Sequence, residues 1–392
     1  MKIIRGVNME ERTINPYALW LSDIRGVGNK TIRMLMETAG SAEEVYHMSE
    51  DEICMCLTDK LKKKGDAMNK AFSILFAKDC DPIEKAEKLK EKGIGFVSVE
   101  DSYYPNRLKD IPNRPYGLYY IGDLPPEDVP CAAIIGARNC SGYGREQARI
   151  FAQKLALHGI SVISGMARGI DGVAGRAAAD AGGRSYAVLG CGVDVVYPQE
   201  NMELYNILKE KGGLISENPP GTEPRTKLFP QRNRLISGLA DLVLVIEARR
   251  RSGTVITVDS ALEQGRDIFA LPGRVSDALS DGCNFLISQG AGIACTPESV
   301  IEHFFGVSRE GTDLFEIKRK ERNARRAELS GLEAAAFDAL GFGDIMESDF
   351  LAARVESLLG MHITQEEFAS CMMGLQMKGL AAEIGIGHYK GI

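Results

Sequence analysis

Through the middle of this chain, arginines recur among glycines and small hydroxyl residues, a combination suited to holding oxyanions. Gly136-Ala137-Arg138-Asn139 follows an apolar run and leads through Ser141 into Gly142-Tyr143-Gly144 and a helix-like segment. Ser164-Gly165-Met166-Ala167-Arg168-Gly169 repeats the arrangement, and Leu189-Gly190-Cys191-Gly192 gives a third glycine-rich end. Glycine lets a backbone approach an anion closely, and a helix N-terminus aims N–H groups and partial positive charge at it. Arg138 and Arg168 would add charge-assisted, two-pronged bonds to phosphate oxygens. The expected site on these loops is Gly136, Arg138, Asn139, Ser141, Ser164, Gly165, Arg168 and Gly169.

A fourth stretch has a different composition. From Pro224 to Ser237 it contains Arg225, Lys227, Phe229, Arg232, Asn233 and Arg234: four cations, a ring and an amide within ten residues. Cations that track a backbone beside a ring that stacks on a base are the chemistry of a single-strand platform. Lys227, Phe229, Arg232, Asn233 and Arg234 therefore join the expected site, although Phe229 equally suits packing in a core. Arg249-Arg250-Arg251-Ser252-Gly253-Thr254 follows a further apolar run, and Ser252 and Thr254 are secondary candidates.

Loops of this kind need a scaffold that ends them on one edge. Apolar runs at 132–136, 160–164, 185–190, 213–217, 242–247 and 268–271 alternate with helix-like segments. Continuous apolar strands of this length predict a parallel sheet covered by helices on both faces, with ligands beyond the strands' carboxyl ends. A strand is also expected at 95–99, after the charged amphipathic stretch 85–92. The expected division is a helical domain over 1–80, a Rossmann-like α/β domain over 81–308, a polar linker over 309–328 and a small winged-helix-like domain over 329–392. Within the first, Ile24-Arg25-Gly26-Val27-Gly28 between two helical patterns has the form of a helix-hairpin-helix turn. An ordinary glycine turn is the plainer reading. In the last, three helices and a hairpin are expected, and the third helix, 364–376, has two acids and no Lys or Arg. That composition favours protein contact over DNA reading.

Composition narrows the function classes. With 392 residues, 44% apolar and 26% charged, the chain suits two or three globular domains. A net charge of −7 argues against a general polyanion binder, so any nucleic-acid site must be a local basic pocket. No apolar run approaches the ~20 residues that cross a bilayer, and residues 1–12 lack a signal-peptide core. Nine scattered cysteines without Cys-x-x-Cys, and five histidines far apart, predict neither disulfides nor a metal site, as in a cytoplasmic protein. No cofactor is expected.

The ordered run of motifs resembles the DNA-processing protein A family (DprA, also called Smf). It comprises Gly136-Ala137-Arg138, Ser141-x-Tyr143-Gly144, Ser164-Gly165-x-Ala167-x-Gly169-Ile170-Asp171, and Ala187-Val188-Leu189-Gly190-x-Gly192-x-Asp194. Tyr197-Pro198, Phe229-Pro230-x-Arg232-Asn233-Arg234, Val245-x-Glu247-Ala248, Ser252-Gly253-Thr254, Pro272-Gly273 and Gly282-Cys283-Asn284 follow in order. The approach segment, from Tyr104-Pro105 to Leu118-Tyr119-x-x-Gly122, belongs to the same pattern. The resemblance implies a bacterial cytoplasmic protein that binds single-stranded DNA, forms a homodimer through the Rossmann-like domain, and helps load the RecA recombinase in natural transformation. It implies backbone contacts from Arg138, Lys227, Arg232 and Arg234. One departure is visible: where the family usually has Ala-His after the Asp171 motif, this chain has Ala174-Gly175.

The rival reading is a nucleotide phosphoribohydrolase of the lysine-decarboxylase-like type, which resembles this fold and carries Pro-Gly-Gly-x-Gly-Thr-x-x-Glu. Here the nearest match is Arg251-Ser252-Gly253-Thr254, and Thr257 stands where the acid would be. The first strand leads to Gly-Ala-Arg, not to a dinucleotide fingerprint, and no Walker A sequence occurs. Binding without catalysis is the expectation, with no catalytic residue assigned.

Overall fold

The computed structural model describes residues 13–61, 64–306, 326, 329–340, 345–385 and 387–391. The expected linker at 309–328 lies outside these apart from Arg326. Contacts divide the chain into two compact units, Met1–Phe304 and Phe305–Ile392.

The first unit begins with six helices: α1 (Pro16–Ser22), α2 (Asn29–Ala39), α3 (Ala42–His47), α4 (Glu50–Lys60), α5 (Lys64–Ala77) and α6 (Pro82–Glu91). Local chemistry starts them. Asn15 caps the N–H groups of Tyr17 and Ala18 at 3.1 Å ahead of Pro16. Ser49 and Glu52 form a reciprocal capping box on α4, and Asp81 caps α6 before Pro82.

A nine-stranded sheet follows, built of β1 (Gly95–Ser98), β2 (Gly117–Gly122), β3 (Cys131–Ile135), β4 (Ser161–Ser164), β5 (Ser185–Val188), β6 (Gly212–Ser216), β7 (Leu242–Val245), β8 (Asp267–Ala270) and β9 (Gly292–Ile293). Their order is β1-β2-β6-β5-β4-β3-β7-β8-β9, and every pairing from β6 to β9 is parallel. The crossovers are α7 (Gly142–Leu157), α8 (Ile170–Asp180), α9 (Met202–Lys211), α10 (Leu228–Leu239), α11 (Gly253–Glu263) and α12 (Asp281–Ser288), and α13 (Pro297–Phe305) closes the series. Strands β3 to β7 are buried at every position, which is why they read as unbroken apolar runs. Ala133, Ile135, Val243 and Val245 face a core with Leu235, Ile236 and Val258 of α10 and α11. Ala132, Ile134, Leu242 and Leu244 face the opposite core, with Phe151 of α7 and Ala174 of α8. Each such large aliphatic contributes about 1.5–3 kcal/mol by leaving water. Strand order reverses between β3 and β7, and the crevice at their carboxyl ends is the switch point where such folds take ligands.

The sequence reading takes 104–122 as an approach segment, and its end, Gly117–Gly122, is a strand. This strand is β2, antiparallel to both β1 and β6. Its side chains serve two cores. Leu118 and Tyr120 join the sheet's core, while Tyr119 joins Phe96 and Tyr116 in a cluster with Trp20, Ile32, Leu35 and Leu57 of the helices. The residues before 80 thus share a core with the sheet. Tyr119 donates its hydroxyl to Asp23, and Asn29 Oδ1 accepts from Tyr116 N at 3.0 Å.

The second unit holds α14 (Gly331–Leu340), β10 (Ile345–Glu347), α15 (Ser348–Leu359), α16 (Gln365–Met377), β11 (Ala381–Gly385) and β12 (His388–Gly391). The strands form an antiparallel sheet ordered β10-β12-β11, giving a winged-helix-like fold whose first short strand the sequence reading does not anticipate. Phe337, Leu351, Phe368 and Leu375 form its core. The third helix, α16, exposes Glu366, Met373 and Met377 and carries no Lys or Arg. Among the described residues no helix is long and apolar enough to cross a membrane.

Candidate nucleic-acid interface

The loop after β3 is held in place from two sides. Ala137 N donates to Glu247 O at 2.8 Å, tying it to the end of β7. Gly169, at φ +75°, lies against the carbonyls of Ala137 and Arg138, so the second glycine loop touches the first. That φ strains any side chain but glycine's. Ser141 begins α7: its Oγ accepts from Gly144 N at 3.0 Å and donates to Glu247, whose other oxygen accepts from Ser141 N at 2.9 Å. Glu247 is 4% exposed and secures the helix start.

Beneath the loops lies a buried charge pair. Asp171, in the first turn of α8, accepts from Gly165 N at 2.9 Å and also from the Gly136 N–H. Burial raises its pKa, opposed by the nearby Arg232 guanidinium and those two N–H groups. Arg232, on α10 and 5% exposed, donates to Val188 O at the end of β5. Burial pushes its pKa down to about 10, against the pull of Asp171. Gly165 lies between them: a Cβ there would collide with Arg232 Nη1 and sit 2.7 Å from Asp171 Oδ2.

Phe229, half-buried at the start of α10, is the centre of the site. Arg138 lies over its ring at 5.5 Å and Arg232 at 6.0 Å, both within cation–π range. Tyr197 stacks obliquely on the same ring, with centroids 5.4 Å apart and planes at 32°. These residues line a cavity of about 540 Å³ at the β3/β7 switch point, together with Asn139, Asn233, Arg249 and the N-terminus of α11. A neighbouring cavity of about 300 Å³ is lined by Arg138, Arg168, Gly190, Tyr197, Phe229 and Arg232. Three arginines and one buried, engaged carboxylate line the larger cavity, which makes it a receptor for anions beside an aromatic surface.

The structure therefore brings together Gly136, Arg138, Asn139, Phe229, Arg232 and Asn233, with Gly165 and Arg168 at the adjoining cavity. Several of the expected site residues act internally, are already paired or lie elsewhere. Ser141 caps a helix, and Ser164, 2% exposed, spends its hydroxyl on Asp171 O and Met166 N at 3.2 Å each. Arg168 is exposed but paired with Glu200 at 2.5 Å. Lys227 is exposed at the foot of α10. Arg234 faces away. Both its contacts to Glu217 are 2.8 Å, it donates to Asn113 O at 3.0 Å, and it lines a different groove, beside Asn29 and Lys30. Helix α10 cannot point Arg232 and Arg234 the same way, since residues two apart lie on different faces. Asn29 Nδ2 also donates to Glu217 at 2.7 Å. Sequence reasoning leaves Asp171, Tyr197, Glu217 and Glu247 out of the site. Asp171 carried a signal, a carboxylate within a glycine-rich run that any anion-binding reading must account for, and Tyr197 and Glu247 stood in the ordered run of motifs without an assigned role.

The profile of the family described as DNA recombination-mediator protein A matches residues 95–305. The chain is 42% identical over 213 residues to protein Smf of Escherichia coli, covering 54% of this chain and 57% of that protein's length. It is 41% identical over 207 residues to DNA processing protein DprA of Streptococcus pneumoniae, covering 53% of this chain and 73% of the relative. Protein Smf of Synechocystis is 36% identical over 296 residues, 72% of this chain and 71% of the relative. The X-ray structure of DNA processing protein A from Streptococcus pneumoniae superposes with a TM-score of 0.63 at 32% identity, over 74% of this chain and 98% of that one. With more than half its length matched by the family profile, and its fold by a solved relative, the chain belongs to the DNA recombination-mediator protein A family.

Proposed function

We propose that the chain binds single-stranded DNA at the β3/β7 switch point, without catalysis, and presents the strand to a recombinase. The observation that carries this reading is the Phe229 ring with Arg138 and Arg232 over it, beside an open cavity. A ring offers any base a stacking surface, and arginines hold the flanking phosphates, so the contact tolerates sequence. Arg138 and Asn139 are exposed and meet the strand directly. Lys227 extends the track. Arg232 acts as a buried source of positive potential, and Arg234 holds α10 in place. The phosphoribohydrolase alternative is less well supported, because Thr257 lines the cavity where that chemistry needs a carboxylate, and Asp171 is buried and engaged.

The wider reading is a cytoplasmic, homodimeric mediator that protects incoming single strands and loads RecA in natural transformation and recombination. Two tracks joined in a dimer gain apparent affinity through effective concentration. The helical residues before 80 and the winged-helix-like tail serve it as accessory domains, the tail through protein contact.

Fluorescence anisotropy with labelled single- and double-stranded oligonucleotides across a salt series tests the central claim. Tight single-strand binding that weakens steeply with salt is expected. Arg138→Ala should cost roughly 10–100-fold, the worth of one charge-assisted contact, and flatten the salt slope by about 0.7. Unchanged affinity in that variant overturns the assignment of Arg138 as anchor.

A further inference from the structure

We infer that α16, the third helix of the winged-helix-like unit, docks a basic amphipathic helix of a partner protein. The inference rests on the reading of the tail as a protein-contact module and names the chemistry of its partner.

Charge is unevenly shared along this chain. Residues 329–392 hold nine acids against three basic residues, so this short stretch carries six of the chain's net −7. Helix α16 stands where helix-turn-helix folds present a recognition helix, and its open face is one stripe at helical spacing. Glu366, Ser370, Met373 and Met377 form that stripe; all are exposed, the two methionines by 63% and 84%. Methionine side chains are flexible and polarizable, which suits them to covering another chain's apolar side chains. Beside the acidic end of the stripe, α16 and the start of α14 border a groove of about 430 Å³. Leu332 and the buried Cys371 give it apolar surface, and Glu333, Glu366 and Glu367 line it with charge. Two of these acids have internal tasks: Lys378 holds Glu333 at 2.7 Å, and Glu367 closes the capping box of α16 with Thr364. Glu366 takes part in neither and stands exposed on the stripe.

The charge decides between occupants. A nucleic acid would set its phosphates against these carboxylates, and α16 carries no Lys or Arg to hold them. A second copy would bring the same acidic face against itself, and like charges in apposition disfavour that pairing. A helix with one apolar side flanked by Lys or Arg answers both features. Its apolar side covers Met373, Met377 and the groove, and its cations meet Glu366 and the other carboxylates.

The test uses the full chain and labelled peptides about five helical turns long, read by anisotropy at low salt. One is a Leu/Lys sequence with its leucines on one helical face, one has the same composition scrambled, and one is the Leu/Glu counterpart of the first. The amphipathic Leu/Lys peptide should bind, the scrambled one several-fold more weakly, and the Leu/Glu one not measurably. Met373→Ser and Met377→Ser should each weaken binding about tenfold, the worth of one buried methionine, and Glu366→Lys several-fold. All three positions are exposed, so the variants' thermal midpoints should match the parent's. Arg138→Ala, in the first unit, should leave peptide binding unchanged. No binding of the Leu/Lys peptide, or binding that ignores all three α16 variants, overturns the inference. If the Leu/Glu peptide binds equally well and Met373→Ser weakens it, the basic partner is wrong and the protein-contact reading stands. If Met373→Ser instead weakens oligonucleotide binding, the protein-contact reading fails with the inference. If it abolishes a self-association seen by sedimentation, the occupant is a second copy and the inference fails.

Discussion

Replacing Gly165 by alanine should reveal how much of the site depends on the charge pair beneath it. The backbone at Gly165 is not in the left-handed region, so the substitution adds a methyl group without conformational strain. That methyl would collide with Arg232 Nη1 and lie 2.8 Å from its Cζ and 2.7 Å from Asp171 Oδ2. A guanidinium at the end of a long side chain usually moves aside cheaply. This one is 5% exposed and bonded to Val188 O, so moving it breaks that bond and separates it from Asp171. Overpacking costs about 1–3 kcal/mol, and a lost hydrogen bond from a charged donor about 1.5–3. We expect a loss near 3 kcal/mol, or roughly 5 °C in Tm for a unit of about 300 residues. Because Arg232 also lies over Phe229, single-strand affinity should fall as well. The decisive assay is a double-mutant cycle with Arg232→Met, which removes the obstructing group. In that background Gly165→Ala should cost under about 1 kcal/mol, giving a coupling of at least ~1.5 kcal/mol. Additive losses, or a Gly165→Ala midpoint within about 1 °C of the parent, would refute the reasoning.

Three further outcomes follow from the structure. Gly190→Ala places a Cβ 2.8 Å from Phe229 Cδ1, so it should turn the ring and weaken single-strand binding several-fold, with the chain still folded by circular dichroism. Glu217→Gln removes the charge that holds Arg234 and Asn29, and should lower stability by about 1–3 kcal/mol in denaturant melts while leaving the salt slope of DNA binding unchanged. Burial raises the thiols of Cys131 and Cys283 to about 12 and that of Cys191 to about 11, so iodoacetamide at pH 8 should label exposed Cys80 and Cys295 and spare those three until the protein unfolds. Since these folded-state pKa values lie above the unfolded thiol's, the stability they contribute is full below about pH 8.5 and is lost as pH rises towards 11–12. Labelling of all five at pH 8 in the native state would contradict that burial.

The parallel sheet was legible because its strands are buried on both faces, and burial on both faces writes an unbroken apolar run. Strand β2 was harder to read. Leu118, Tyr119 and Tyr120 face alternately two different cores, both apolar, so no polar alternation marks a strand. At the site, the glycines and arginines signalled anion binding because few other structures need that mixture. Their composition could not show which arginine turns inward. Arg234 and Arg232 stand two apart in one motif, and what separates them is Glu217 on a different segment and Asn29 nearly two hundred positions earlier. Tyr197 was unreadable for a similar reason, since its role depends on a ring thirty-two residues later.

The aromatic wall that β1, β2 and the residue before β2 turn towards the helices has a consequence for how the fold can vary. Phe96, Tyr116 and Tyr119 are apolar enough to need a cover and are useless without one. A lineage that lost the helices would be pressed to replace these residues with polar ones, and a lineage that acquired helices would be pressed the other way. The identity of those three positions therefore reports, from inside the α/β region, whether a chain wears this helical cap.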